Sequence, residues 1–444
     1  MPSGTQNMSI ASPGSSTTVS PDSSSSSSYT GPLTVVTTLF FMWGFLTCLN
    51  DILVPHLKPI FDLNYAEIML IQFAFFGAYF LFSIPSAKII DWIGYQRSMV
   101  LGLLTMGLGA FLFVPAASVP SYPLFLVALI VLAAGITCLQ VAANPYVTVL
   151  GKPQTASSRL NLTQAFNSLG TFLAPFFGGL LILSAAPKTM EEIRALAPDA
   201  LQAYRLHEAS TVKLPYVGLG VALVVLAIAI GSFKLPKIPQ AQHKVGEKVN
   251  DSIWRHPNLV FGVIGIFVYV GAEVAIGSFL VSYFTQPEIG GLTEKAAASL
   301  VAFYWGGAMV GRFIGSGLLQ KMKTGRLLGI CAVCAAALVM VSMLSTGHFA
   351  MWSIILVGFF NSIMFPSIFT LGVAELGPLT GDGSGILIMA IVGGALIPLA
   401  QGAIADKIGI HHAFFLPVIC YLYILFFALS GSKPNSERGI PAAR

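Results

Sequence analysis

Charge is scarce in this chain. Asp, Glu, Lys and Arg make up 9% of its 444 residues, while 55% are hydrophobic. Soluble domains average roughly a quarter charged. Burial saturates with size, so a soluble protein of this length has nowhere to hide so much apolar surface. The scarcity of charge excludes an ordinary soluble domain and implies a chain that lives in a bilayer. Cysteine is also scarce, and Cys48, Cys138, Cys331, Cys334 and Cys420 all lie in apolar segments. That excludes a disulfide framework. Cys331 and Cys334 form a C-x-x-C with no second pair and no histidine nearby, and a zinc site needs four ligands. His56, His207, His256, His348, His411 and His412 fall at or beyond the ends of apolar runs, and His243 lies in a polar loop. H-E-x-x-H, G-x-S-x-G and phosphate-cradling patterns are lacking. No enzyme, resident metal or cofactor is expected. The net charge of +5 is spread over loops and gives no nucleic-acid footprint.

What lacks apolar residues is the start. Residues 1–31 hold "SPGSSTTVSPDSSSSSSYTG", a low-complexity stretch that cannot bury a core. It has no basic start or short apolar region of a signal peptide. A disordered tail outside the membrane is expected there.

What is present is a series of apolar runs long enough to cross a bilayer as helices, which takes about 20 residues. They fall near 33–57, 67–90, 98–117, 122–150, 159–184, 212–233, 258–285, 296–320, 326–346, 350–374, 383–405 and 411–431. Barrel strands would be about half as long and would alternate in polarity. The sequence therefore predicts an all-α membrane protein with twelve spans. A polar linker at 234–257 divides 32–233 from 258–431, and 432–444 forms a second tail. Lys88, Arg97, Lys152, Arg159, Lys237, Lys321, Lys323 and Arg326 collect on one side of the spans. By the positive-inside rule that side is cytoplasmic, with both termini on it. Span five reads "GTFLAPFFGG" and span eleven "GGALIPLAQG", so G-x4-P-x3-G recurs as Gly170, Pro175, Gly179 and as Gly393, Pro398, Gly402. A duplicated six-helix unit is the mark of many secondary transporters, whose substrate sites lie between the repeats.

Polar groups inside the spans are costly, so they mark cavities or partners. Asp51 closes "WGFLTCLND", sharing one helical face with Trp43 and Thr47 and bordered by Asn50. Glu273 lies inside span seven, one turn after Tyr269, and Arg312 lies in span eight. Thr137, Gln140 and Asn144 form one stripe of span four. Gln164, Asn167 and Thr171 form one of span five, and Asn361 with Phe365 opens "NSIMFPSIF" in span ten. Amides both donate and accept, as sugar hydroxyls do, and aromatic faces suit a pyranose ring. Pro145 and Pro366 are expected to bend their helices and free a backbone carbonyl. After span two, Asp91, Gly94 and Arg97 form a D-x-x-G-x-R turn that could latch a gate, and Arg312 is expected to snorkel or pair with a carboxylate near the same side.

The stretches "WGFLTCLNDILVPHLK", "LQVAANPYVTVLG", "SRLNLTQAFNSLGT", "VGAEVAIGSFLV", "FNSIMFPSIFTLG" and "GSGILIMAIVGGALIPLAQGAIADKIG" run over about residues 35 to 430. They resemble the fucose–proton symporter family of the major facilitator superfamily, and within it the glucose/galactose transporter branch. The resemblance implies two pseudo-symmetric six-helix bundles, alternating access and cation-driven uptake of a hexose across the bacterial inner membrane. The family's span-one acid matches Asp51. Its span-four acid matches Gln140, which does not titrate, and its cavity amides match Gln164 and Asn167. Coupling then falls on Asp51 with Glu273, and the cation is H⁺ or, with Asp51 among oxygen ligands, Na⁺. Expected sugar contacts are Trp43, Asn50, Gln140, Asn144, Gln164, Asn167, Asn361 and Phe365. Asp91, Gly94, Arg97 and Arg312 are the expected gate. The partners are a hexose, the cation and lipid, with a monomer as the working unit. The rivals are an uncoupled sugar facilitator and, further off, a transporter-like sugar sensor.

Overall fold

The structure, a computed structural model, describes residues 29–61, 65–119, 121–182, 195–211, 213–237 and 252–438. The Ser-rich stretch and most of the 234–257 linker lie outside the described residues. Ten helical runs are long and apolar enough to span a bilayer. One of them, Phe73–Ser118, belongs to a continuous helical stretch that breaks at Gly94, where φ is 80° and ψ 167°. Only glycine adopts that backbone without strain, so this stretch is two spans joined by a turn. The amide-rich helix Ala156–Ile182 supplies the twelfth.

In chain order the spans are α1 (Thr30–Phe61), α2 (65–93), α3 (95–118), α4 (Tyr122–Val149), α5 (Ala156–Ile182) and α6 (Lys213–Ser232). The second half comprises α7 (Pro257–Phe284), α8 (Glu294–Leu318), α9 (Thr324–Leu344), α10 (Gly347–Gly372), α11 (Gly377–Ile408) and α12 (Ile410–Gly431). A short helix, Pro198–Thr211, stands between α5 and α6. The halves differ in continuity. α4 runs unbroken through Pro145, but α10 is interrupted between Asn361 and Met364, and α11 by a tight turn at Ala390–Val392.

The repeated glycine-proline pattern has a packing reason. A Cβ on Gly170 would overlap the carbonyl oxygen of Phe41, and one on Gly393 that of Phe267. So α5 lies directly on α1, and α11 directly on α7, each through the first glycine of the same motif. Small residues allow this close approach where lipid gives no hydrophobic drive for helices to associate. The outer surface carries exposed Leu108, Val225, Ile228, Ile419 and Leu422, as a lipid-facing perimeter requires. Buried polar side chains such as Asn144, Gln164, Asn258, Asn361 and Gln401 occupy the interior.

Candidate functional site

α4 and α5 bring the first amide set together. Gln140, Asn144 and Gln164 are all buried. Gln140 Nε2 donates to the Tyr79 hydroxyl of α2 at 2.7 Å. Gln164 Nε2 donates to Asn144 Oδ1 at 3.2 Å, while Asn144 Nδ2 has no partner. An amide donor left unpaired away from water costs about 1–3 kcal/mol. The predicted stripes thus converge and leave a donor uncommitted. Thr137 bonds back to Ala133 of its own helix instead. Trp43 is buried edge-on against Phe40, with ring centroids 5.4 Å apart. Asn167 turns elsewhere: its Nδ2 donates to the Phe40 carbonyl at 2.9 Å, and Thr171 donates to Gly44, so both tie α5 to α1. The side chains of Asn50 and Asp51 lie outside the described residues.

The second set centres on Asn361. Its Nδ2 donates to Tyr304 Oη at 2.9 Å, its Oδ1 accepts from Tyr421 at 2.8 Å, and its carbonyl accepts from Tyr269 at 3.1 Å. Three tyrosines from α7, α8 and α12 therefore close around one asparagine. The structure brings Asn361 to this tyrosine cluster and not to the amides of α4 and α5. Glu273 borders the same cluster, and its Oε1 is sealed from solvent without a hydrogen-bond partner. Phe365 stacks on Phe369 of its own helix, centroids 6.1 Å apart.

The two prolines explain two contacts. Proline has no N–H, so the carbonyl four residues before it has no helical donor. Before Pro145 that carbonyl is Val141, which accepts from Ser384 Oγ of α11 at 3.0 Å. Before Pro366 it is Ser362, which accepts from Arg312 Nε of α8 at 3.3 Å. Arg312 Nη1 also donates to Ser168 Oγ of α5. Arg312 was expected to snorkel or to pair with a carboxylate. It does neither here, because these hydroxyl and carbonyl acceptors lie within its reach in the interior.

The described hydrogen bonds between the halves gather toward the end that carries the 91–97 turn, Lys321 and Lys323, here called the basic end. Lys88 Nζ of α2 pairs with Asp382 Oδ1 of α11 at 2.8 Å, and less closely with Asp91 at 3.9 Å. Across the other seam, Ser157 of α5 meets Thr370 of α10 at 2.6 Å and Thr324 of α9 at 2.9 Å. Ser158 donates to the Ser316 carbonyl at 2.7 Å, and Asn161 to the Arg312 carbonyl at 2.6 Å. The bundle is thus closed at this end by an ionic latch on one seam and a hydroxyl–amide latch on the other.

Asp91 faces this ionic latch. Gly94 supplies the turn, and Arg97 lines a cavity of about 310 Å³ with Tyr146 and Lys237. Gln96 in the same turn donates to the carbonyls of Ile230 and Phe233, which cap the end of α6. Sequence reading missed Lys88–Asp382, because Lys88 was absorbed into the orientation rule. The signal was Asp382 itself, a lone acid in the glycine-rich "TGDGSG" at the head of a span. Among the described residues, no cluster of His, Cys, Asp and Glu could hold a metal ion.

Residues 35–391 match the sequence pattern of the Major Facilitator Superfamily. A glucose/galactose transporter of Brucella abortus is 54% identical, over 93% of this chain and 97% of its own length. The L-fucose-proton symporter of Escherichia coli is 36% identical, over 92% of this chain and 95% of its own. A crystal structure of the Escherichia coli fucose:proton symporter superposes with a TM-score of 0.85 at 34% identity, covering 91% of this chain and 100% of that one. Twelve spans, the same glycine motif packing α5 on α1 and α11 on α7, and interior amides all accord with these likenesses, and the chain belongs to the Major Facilitator Superfamily, in the group of the glucose/galactose transporters and fucose–proton symporters.

Proposed function

We propose that this protein imports a hexose, glucose or galactose first, by symport with H⁺ or Na⁺ through alternating access. The observation that carries the reading is the uncommitted amide of Asn144, buried beside Gln164 and one turn from Gln140. A costly unpaired donor suits a site that a polar ligand completes. The names borne by the 54%- and 36%-identical relatives support a sugar as that ligand. Residues 32–233 and 258–431 act as two units that rock about the 234–257 linker. The basic end is cytoplasmic by its lysines and arginines, so the latched state described here faces outward. Sugar then meets Trp43, Asn50, Gln140, Asn144 and Gln164. Asn167 and Asn361 hold helices together in this state, and Phe365 stacks on Phe369. Asp51 is the first cation carrier by its place in the sequence, and Glu273 is the second.

The test is uptake of glucose, galactose and fucose into proteoliposomes under an imposed pH gradient or an imposed Na⁺ gradient. Accumulation driven by pH makes the carboxyls proton carriers, and accumulation driven only by Na⁺ makes Asp51 part of a sodium site. Uptake that merely equilibrates under both gradients would establish the facilitator reading instead. In Asp51→Asn, exchange of sugar should survive while accumulation disappears. Full accumulation by that variant removes Asp51 from the coupling path.

A further inference from the structure

Arg312 touches both halves at once from the interior of the bundle. Its Nε is held by the Ser362 carbonyl that Pro366 leaves free, in its own half. Its Nη1 is held by Ser168 on α5, in the other half, and its carbonyl takes Asn161 of α5. The Glu273 carboxyl and the Tyr269 hydroxyl lie within electrostatic reach of the guanidinium. Tyr269 and Arg312 in fact bond to the neighbouring carbonyls of Asn361 and Ser362. Yet Arg312 and Glu273 form no ion pair among the described residues, and Glu273 Oε1 is left without a partner. The other described groups beside Glu273 are neutral phenols: Tyr269 on α7, Tyr304 on α8 and Tyr421 on α12. Burying a carboxylate with no cation bonded to it costs far more than burying a neutral carboxyl. This arrangement suits the protonated acid.

We propose that Arg312 is a positioning residue that ties the proton on Glu273 to which end of the bundle is open. The proposal rests on the symport reading and commits its second carboxyl to a proton. With the basic end latched, Ser168 holds the guanidinium toward the first half and Glu273 stays protonated. When the halves rock, α5 parts from α8 at the basic end and carries Ser168 and Asn161 away. A guanidinium that has lost its partner in an apolar interior is costly, and the carboxyl within reach is the available acceptor. As the pair forms, the carboxyl O–H bond breaks. The electron pair stays on the carboxylate, and the proton passes to water in the opened basic end. Relatching returns Arg312 to Ser168, and Glu273 takes a new proton from the opposite side.

The experiment uses the full chain in proteoliposomes and compares the parent with Ser168→Ala, Arg312→Lys, Glu273→Gln and the double variant Ser168→Ala/Glu273→Gln. Two quantities are read: glucose or galactose exchange at equal pH on both sides, across a range of pH, and accumulation under a pH gradient. Ser168→Ala frees Arg312 for Glu273 in the latched state. Exchange should persist, with its pH profile moved toward acid by about one unit, the effect of an opposite charge drawn close to a carboxyl. The double variant should lose that shift. Arg312→Lys keeps the charge but lacks the planar fork that reaches two acceptors, so it should exchange sugar and accumulate several-fold less. An unchanged profile in Ser168→Ala overturns the proposal, as does a shift that persists in the double variant. Accumulation driven by Na⁺ with no dependence on pH also overturns it while leaving symport intact. A parent that accumulates sugar under neither gradient overturns the symport reading and this inference together.

Discussion

Gln140 and Asn361 stand at the same place in the two halves, five residues before the helix-interior prolines Pro145 and Pro366. The halves use them differently. Gln140 donates one described side-chain hydrogen bond, to Tyr79, and lies one turn from an unpaired amide on Asn144. Asn361 is enclosed by Tyr304, Tyr421 and Tyr269, and the position matching Asn144 is the apolar Phe365. The same frame thus carries an unsatisfied amide set in the first half and a satisfied polar node in the second. The freed carbonyls differ as well. Val141 binds Ser384 across the halves, and Ser362 binds Arg312, which itself reaches across to Ser168. A duplicated unit can keep its backbone mechanics while the equivalent polar positions are left unpaired in one copy and bonded in the other.

The largest effect is expected from removing the satisfied node. Asn361→Ala leaves buried phenols without partners, at about 1–3 kcal/mol for each unsatisfied group. Its melting temperature in detergent should fall by far more than that of any single amide variant in the first half. An unaltered melting temperature would show that the node is dispensable. Next comes Asn144→Ala, which should melt close to the parent but bind sugar about tenfold more weakly, the equivalent of one hydrogen bond of about 1.4 kcal/mol. An unchanged KM for glucose and galactose would take Asn144 out of the sugar site.

Smaller effects are expected at the latches. Ser384→Ala removes a buried bond worth about 0.5–1.5 kcal/mol, so the population open at the basic end should rise severalfold, at low and high salt alike. Spin-label distances across that end would report it. Lys88→Ala removes an ion pair whose lysine side chain is 53% exposed, worth about 0–1 kcal/mol and screened by salt. Its shift should be smaller and should vanish at high salt. Equal salt dependence in the two variants would contradict the distinction between them.

Much of the fold could be read from residues alone. The twelve spans follow from the length of apolar runs. Equivalence of α5 and α11 follows from one glycine-proline spacing, and the stripes on α4 and α5 from helical periodicity. Gly94 and the D-x-x-G-x-R turn were visible because a positive φ leaves so few residue choices. The expectation that Pro145 and Pro366 free a carbonyl needed only proline's missing N–H. Partners were what could not be read. That Asn167 would bond α1 and Asn361 three tyrosines depends on which helices lie side by side. So does the pairing of Lys88 with Asp382, which are separated by 294 positions in the chain.

Contiguous residues alone were enough to place this chain across a membrane with a duplicated unit, and to put amides and carboxyls inside it. Hydrophobic length and local stereochemistry are properties of contiguous residues. Which of those polar groups are satisfied and which stay unpaired, and which residues latch the halves, depended on the packing of the helices. A hydrogen bond inside a bilayer is settled by distances of a few ångströms between helices far apart in sequence, and no local pattern encodes them.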